Sequence, residues 1–214
     1  MTEVIVSYDG TTHDDDALTL GKMLAAGPIT LSLAYVRHAR EFDPRREEIS
    51  AYDASRRLEQ GAQWLADPDV KRHVVVDPST SAGLAKLAVA EGAQLILFGS
   101  DYRTAPGRVE PGGSAQGLLE GGSVAVGVAA AGLRTNGAES IRTISVAADQ
   151  TARSLAAALG AEIVAGGGDT DLILVDSQSN APAGKIALGG TTRARLESSR
   201  GSVIVLPRGT PLSV

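Results

Sequence analysis

Cysteine is missing from this 214-residue chain, which excludes disulfides, thiolate catalysis and cysteine-ligated zinc. Its absence is consistent with a reducing compartment, and the cytoplasm is the expected setting. Aromatic residues are almost as scarce. They make up 3% of the sequence, with one tryptophan and two phenylalanines, against 43% hydrophobic residues. The core must therefore be built from alanine, valine, leucine and isoleucine, which suits a parallel sheet covered by helices rich in small residues. No run of about 18 apolar residues occurs, so no membrane partner is expected. The opening MTEVIVSYDG enters a strand with no basic region ahead of it, and no secretory signal is expected. The net charge of −5 is uneven: residues 1–131 carry 18 acids and 12 bases, and residues 132–214 carry 7 and 8. Neither part holds a basic stripe, which argues against a nucleic-acid partner. There is no Walker lysine, no Gly-x-Ser-x-Gly and no His-Glu-x-x-His, so motif reading gives no enzyme class.

What is present is a strand–loop–helix–strand unit that occurs twice, in register and without a gap. Gln94–Ala129 reads QLILFGSDYRTAPGRVEPGGSAQGLLEGGSVAVGVA, and Asp171–Leu206 reads DLILVDSQSNAPAGKIALGGTTRARLESSRGSVIVL. Leu95-Ile96-Leu97 matches Leu172-Ile173-Leu174. Ser100 matches Ser177, Gly107 matches Gly184, and Gly112-Gly113 matches Gly189-Gly190. Duplication at this scale points to two related lobes.

Around the first unit, Val4–Tyr8, Ile29–Val36, His73–Val76, Gln94–Phe98 and Ser123–Ala129 read as strands. Helices are expected over about 14–25, in the later part of the charged segment 38–70, and over about 82–91. In the second of these, Pro44 suits the first turn, and Ile49, Leu58, Ala62 and Leu65 form an apolar stripe. Ser79, Thr80 or Ser81 can cap the third. Strands alternating with helices at this spacing give a parallel α/β sheet. Residues 130–140 read as a linker. The pattern then restarts, with a strand at Ile141–Ala148, a turn at Asp149-Gln150-Thr151, a helix at Thr151–Leu159, a strand at Ala161–Ala165, and Gly166-Gly167-Gly168-Asp169 leading into the repeat unit. Asp149 matches Asp9, but the stretch from there to the repeat is 63 residues shorter, so the second helix and third strand have no counterpart. A lobe of about 75 residues buries too little surface to stand alone, and should fold against the first. The closing strands near Val126 and Val203 are candidates to pair across the seam, which would cover two sheet edges.

These residues resemble the universal stress protein family, whose nucleotide-binding branch carries Gly, two residues, Gly, nine residues, then Gly-Ser/Thr. Here Gly99 is followed by Ser100-Asp101, then by Tyr102 at the second glycine position, nine residues Arg103–Pro111, and Gly112-Gly113-Ser114. The resemblance covers residues 1–131 as one domain and, in part, 138–208 as a truncated second lobe. It implies a five-stranded parallel Rossmann-like sheet of the adenine nucleotide alpha hydrolase kind, ordered 3-2-1-4-5, plus a smaller repeat. It also implies a stress-response protein that binds ATP with Mg2+, or another adenine nucleotide, at Asp9, Val36, Phe98, Gly99, Gly112, Gly113, Ser114 and Ala115. The chain would act as an intramolecular pseudo-dimer or as a homodimer.

In such a sheet a ligand sits beyond the carboxyl ends of the strands where their order reverses, here between the first and fourth. Asp9 ends one and Gly99 the other. Asp9 can accept from a ribose hydroxyl or the adenine amine. Gly112 and Gly113 let a phosphate approach backbone N–H groups at the positive end of the next helix. Ser114 adds a hydroxyl, and Arg103 or Arg108 a charge. The alternative is equally concrete: Asp-Gly is ordinary turn chemistry, and Gly-Gly can simply permit tight packing. The chain would then be a nucleotide-free interaction protein acting through its surface and dimerisation. In the second lobe Asp176 replaces Gly99 near Lys185 and Arg193, and its charge argues against a nucleotide there. His13-Asp14-Asp15-Asp16 is superficially metal-like, but consecutive helical residues diverge, and acids at a helix start complement its dipole. No metal site is expected. His38 and His73 read as ordinary surface or strand residues, Glu91, Glu110 and Glu120 as solvated, and Arg45-Arg46-Glu47-Glu48 as a solvated helix face.

Overall fold

The first strand forms because Thr2–Ser7 (β1) packs a continuous β-branched run between two helical layers; Val4, Ile5 and Val6 are fully buried. The computed structural model describes residues 2–146, 149–165 and 170–213. After β1 come α1 (Thr12–Leu24), β2 (Ile29–Arg37), α2 (Pro44–Leu65), β3 (Lys71–Val76), α3 (Thr80–Glu91), β4 (Leu95–Phe98), α4 (Gly113–Leu119) and β5 (Ala125–Val128). Then follow β6 (Thr143–Val146), α5 (Asp149–Leu159), β7 (Glu162–Val164), β8 (Leu172–Asp176), α6 (Gly190–Ser198) and β9 (Ser202–Leu206). The triple glycine and Asp169, and the end of the expected strand at 147–148, lie outside the described residues. The helix expected from Thr151 begins at Asp149 instead of after a turn.

One sheet holds all nine strands, in the order β3-β2-β1-β4-β5-β9-β8-β6-β7. The first five are parallel in the expected order 3-2-1-4-5. The last four are parallel among themselves. The two runs meet where β5 and β9 pair antiparallel, Val126 opposite Val205 and Val128 opposite Val203. Sequence reasoning named these closing strands as the seam.

The loops repeat too. Ser100 Oγ donates to Ala129 O (2.7 Å) and accepts from Glu110 N (3.3 Å). Ser177 Oγ donates to Leu206 O (2.8 Å) and accepts from Ala187 N (3.3 Å). Gly107 N donates to Ala131 O, and Gly184 N to Arg208 O.

The helices bury two faces. On one, Leu20 and Leu24 of α1, Leu58 of α2 and Leu155 of α5 share a core with Val4, Leu97, Leu174 and Ile204. On the other, Leu84 of α3, Leu118 of α4 and Leu196 of α6 cover Ile5, Ile96, Val126, Ile173 and Val203. Both cores cross the seam, so the short second lobe is stabilised by the first, as its size required. The chain's end returns as well: Leu212 N donates to Thr151 Oγ1 (3.1 Å), Ser213 N donates to Gln94 Oε1 (2.9 Å), and Thr2 Oγ1 donates to Ser213 O.

Three expectations need correction. Ile49 is 62% exposed, and the buried stripe of α2 is Ala54, Leu58, Gly61, Ala62 and Leu65. Glu47 is only partly solvated: it forms a two-pronged ion pair with the buried Arg37 (3.1 and 2.7 Å) and accepts from Glu41 N (2.8 Å). Residues 130–140 are no loose linker. Ala130, Ala131 and Leu133 are buried, and a short 3-10 turn at Leu133–Thr135 is held by Asp16. Asp16 is fully buried on α1 and accepts from Gly132 N (2.8 Å), Arg134 N (2.9 Å) and Arg134 Nη1 (3.0 Å).

Candidate functional site

At the reversal of strand order, between the carboxyl ends of β1 and β4, a cleft of about 690 Å3 opens. All eight residues singled out from sequence line it: Asp9 after β1, Val36 on β2, Phe98 and Gly99 at the end of β4, and Gly112 through Ala115 at the start of α4. Val36 and Phe98 are buried at its apolar end, and Asp9 is exposed to it. Arg103 and Arg108 are not part of this lining; they belong to the seam between the lobes.

Gly112 is the N-cap residue of α4, with φ −68° and ψ 169°, and no side chain caps the helix. The first amides of a helix have no internal partner, and they carry the positive end of its dipole. A Cβ added at Gly112 or at Gly113 would meet nothing within 4 Å. The backbone is therefore accessible at the point where a phosphate would be cradled. The matching position in the second lobe is closed, because the Gln178 side chain lies where a Cβ of Gly189 would project. Asp176 stands exposed there, its carboxyl pushed up from the ordinary value by desolvation.

Gly99 has a different reason from the one its sequence position suggested. A Cβ there would overlap the carbonyl oxygen of His13. The residue is glycine because α1 starts against the end of β4. Gly99→Ala should push the start of α1 outward and cost about 1–3 kcal/mol. Equilibrium denaturation checks this, and an unchanged midpoint would contradict the close approach.

Sequence reasoning missed the acidic partner. Thr11 caps α1 in a capping box with Asp14, and the first turn swings Asp14 into the cleft beside Asp9. Asp14 Oδ2 accepts from Asp9 N (2.8 Å) and Thr11 N (3.3 Å), while Asp9 Oδ1 accepts from Thr11 N (3.1 Å). Desolvation, reinforced by the hydrogen bond and charge of Asp9, pushes the Asp14 carboxyl up to about 8. Asp9 is shifted the other way, held below the carboxylate range chiefly by its hydrogen bond with Asp14. Burial thus favours the neutral form of Asp14, while Asp9 keeps its charge. Burial, with Asp15 nearby, raises the Tyr8 hydroxyl to about 12, so it stays neutral. Arg57 of α2 supplies a cation at the cleft. Its Nη1 donates to Asp9 O (2.5 Å), and its guanidinium lies 5.6 Å from the Tyr35 ring centre. His38 and Glu41 complete this side.

Asp14 binds its proton more tightly folded than unfolded. Its contribution is therefore full below about pH 4 and is lost as pH rises toward about 8. Asp14→Asn keeps an acceptor for Asp9 N but cannot ionise. Urea unfolding across pH 5–8 should show a shallower fall in stability for that variant than for the unmodified protein. Parallel curves would contradict the upward shift of the Asp14 carboxyl.

No protein-family model matches the sequence, and no curated protein matches it. Among solved structures, a universal stress protein from Archaeoglobus fulgidus DSM 4304 matches at 17% identity with a TM-score of 0.61, covering 97% of this chain and 98% of that one. The chain has the universal stress protein fold. A functionally unknown protein from Pseudomonas aeruginosa PAO1 matches at 15% identity and a TM-score of 0.57, with 97% and 93% covered. Both likenesses extend over the two lobes and the seam. Among the described residues no helix is long and apolar enough to cross a membrane, and no group of three or more acidic or histidine side chains is placed to hold a metal.

Proposed function

We propose that this chain is a stress-response regulatory protein of the universal stress type, which binds an adenine nucleotide, ATP with Mg2+, in the first-lobe cleft. One observation carries the reading: residues from the ends of β1, β2 and β4 and the start of α4 converge on a single open cleft at the strand-order switch point. Phosphates would lie on the free amides of Gly113, Ser114 and Ala115, with Ser114 adding its hydroxyl. The base would sit at the Val36 and Phe98 end, and Asp9 would accept from a ribose hydroxyl or the adenine amine. We read the protein as a binding module and not as an enzyme. Its second lobe is a shortened copy of the first, on the strength of the repeated serine-centred loop bonds. It occupies the β5 edge in the manner of an internal partner. In this reading that lobe is structural, because Gln178 and Asp176 fill and charge its cradle.

The nucleotide-free alternative, an interaction protein, is favoured by the fully exposed Phe42 and the exposed Ile49 and Tyr52 on α2 and the loop before it. Denaturation with and without millimolar ATP and magnesium separates the two. A ligand at 100 times its dissociation constant adds about 2.7 kcal/mol. An unchanged midpoint at saturating nucleotide would favour the interaction protein.

A further inference from the structure

Four basic residues lie near the two glycine pairs in sequence: Arg103, Arg108, Lys185 and Arg193. None lines the nucleotide cleft. Three of them, Arg103, Arg108 and Arg193, converge on a separate cavity of about 580 Å3 at the seam between the lobes, and Lys185 lines the depression beside it. The two cavities share no residue, although α4 contributes to both.

The floor of the seam cavity is apolar. Val109 and Leu119 come from the first lobe, and Leu188 and Leu196 from the second. Its walls carry both signs of charge, since Glu110, Glu120 and Glu197 stand with the three arginines. None of these six side chains forms an ion pair with a described residue. Arg103 rests on the Tyr102 ring (4.9 Å to its centre), and Arg108 Nη1 donates to Ser198 O (3.2 Å) across the seam. Thr104 Oγ1 is buried in the same lining without a hydrogen-bond partner among the described residues. A buried polar atom left unpaired is costly, so a ligand group that meets it gains.

The volume falls in the range of small-molecule sites, and an interface between lobes is a usual place for one. The charge pattern selects among ligands. A pure anion meets the glutamates, a pure cation meets the guanidiniums, and a neutral apolar molecule leaves all six unused. We propose that the seam cavity binds a zwitterion with an apolar side chain: a free apolar amino acid or a short apolar peptide. Its carboxylate pairs with the arginine forks, its ammonium with a glutamate, and its side chain rests on the leucine floor. Such a ligand touches α4 and α6 together and so ties the two lobes to each other.

The test is calorimetric titration of the full chain with leucine, with the dipeptide Leu-Leu, and with Leu-Leu acetylated at its N-terminus or amidated at its C-terminus. Saturable binding of the zwitterions is expected. Blocking either end, or replacing the exposed Arg193 in Arg193→Ala, should weaken Leu-Leu about tenfold or more, the usual worth of a charged hydrogen bond. Gly112→Val, aimed at the nucleotide cleft, should bind Leu-Leu as the unmodified protein does, so failure here and failure of the nucleotide reading are distinguishable. Absence of saturable heat with millimolar leucine and Leu-Leu would overturn the proposal. So would undiminished affinity for either blocked peptide, because that charge would then play no part.

Discussion

Asp16→Ala should destabilise the protein by about 3–5 kcal/mol, the range for breaking a buried charge pair from one side. Asp16 has no solvent exposure, and its two oxygens take three hydrogen bonds from Gly132 and Arg134. Removing it leaves two backbone N–H groups and a largely covered guanidinium without their acceptor. It also loosens the segment that joins the lobes, because among the described residues no other α1 side chain is hydrogen-bonded to the turn at Leu133–Thr135. Asp16→Asn should cost less, since one acceptor oxygen remains. Urea midpoints at pH 7 decide this, and a loss below about 1 kcal/mol for the alanine variant would show that the joint is held by apolar packing alone.

The second large effect is on binding. Gly112→Val should lower affinity for ATP at least about 100-fold, equivalent to about 2.7 kcal/mol. The valine side chain would stand where the phosphate must approach the amides of α4. The fold itself should tolerate it. The φ and ψ of Gly112 lie in the extended region open to any residue, and a Cβ there meets nothing within 4 Å. Stability should therefore fall by no more than about 1 kcal/mol, the usual cost of an apolar branched residue at an N-cap. Binding loss far larger than that small fall in stability is the signature sought. Retained affinity would move the phosphate site elsewhere.

The sheet was legible because its central strands are short, β-rich and largely apolar, and because the duplicated sequence unit pointed to a second set of strands. The family resemblance, carried by the strand ends and the spacing from Gly99 to Gly112, then named eight residues that line one cleft. What escaped was the side of the cleft supplied by helices. Arg57 sits on the exposed face of α2, and only the packing of that helix over β2 brings it to Asp9; no sequence pattern marks it. Asp14 and Asp16 were obscured by their company, since three consecutive acids at a helix start read as dipole complements. Their periodicity held the missing signal. Asp16 falls in line with Leu20, Met23 and Leu24, which is the buried face, whereas Asp14 falls at the capping-box position. Gly99 lines the cleft as expected, but its missing side chain also answers to the carbonyl of His13, a contact visible only once α1 is placed against β4.

Calorimetric titration of ATP with magnesium into the unmodified protein at pH 7 tests the central claim most directly. The account predicts saturable binding of one nucleotide per chain, since Gln178 closes the second-lobe cradle at Gly189, and its loss in Gly112→Val. Two nucleotides per chain, or no heat at millimolar ATP, would contradict it.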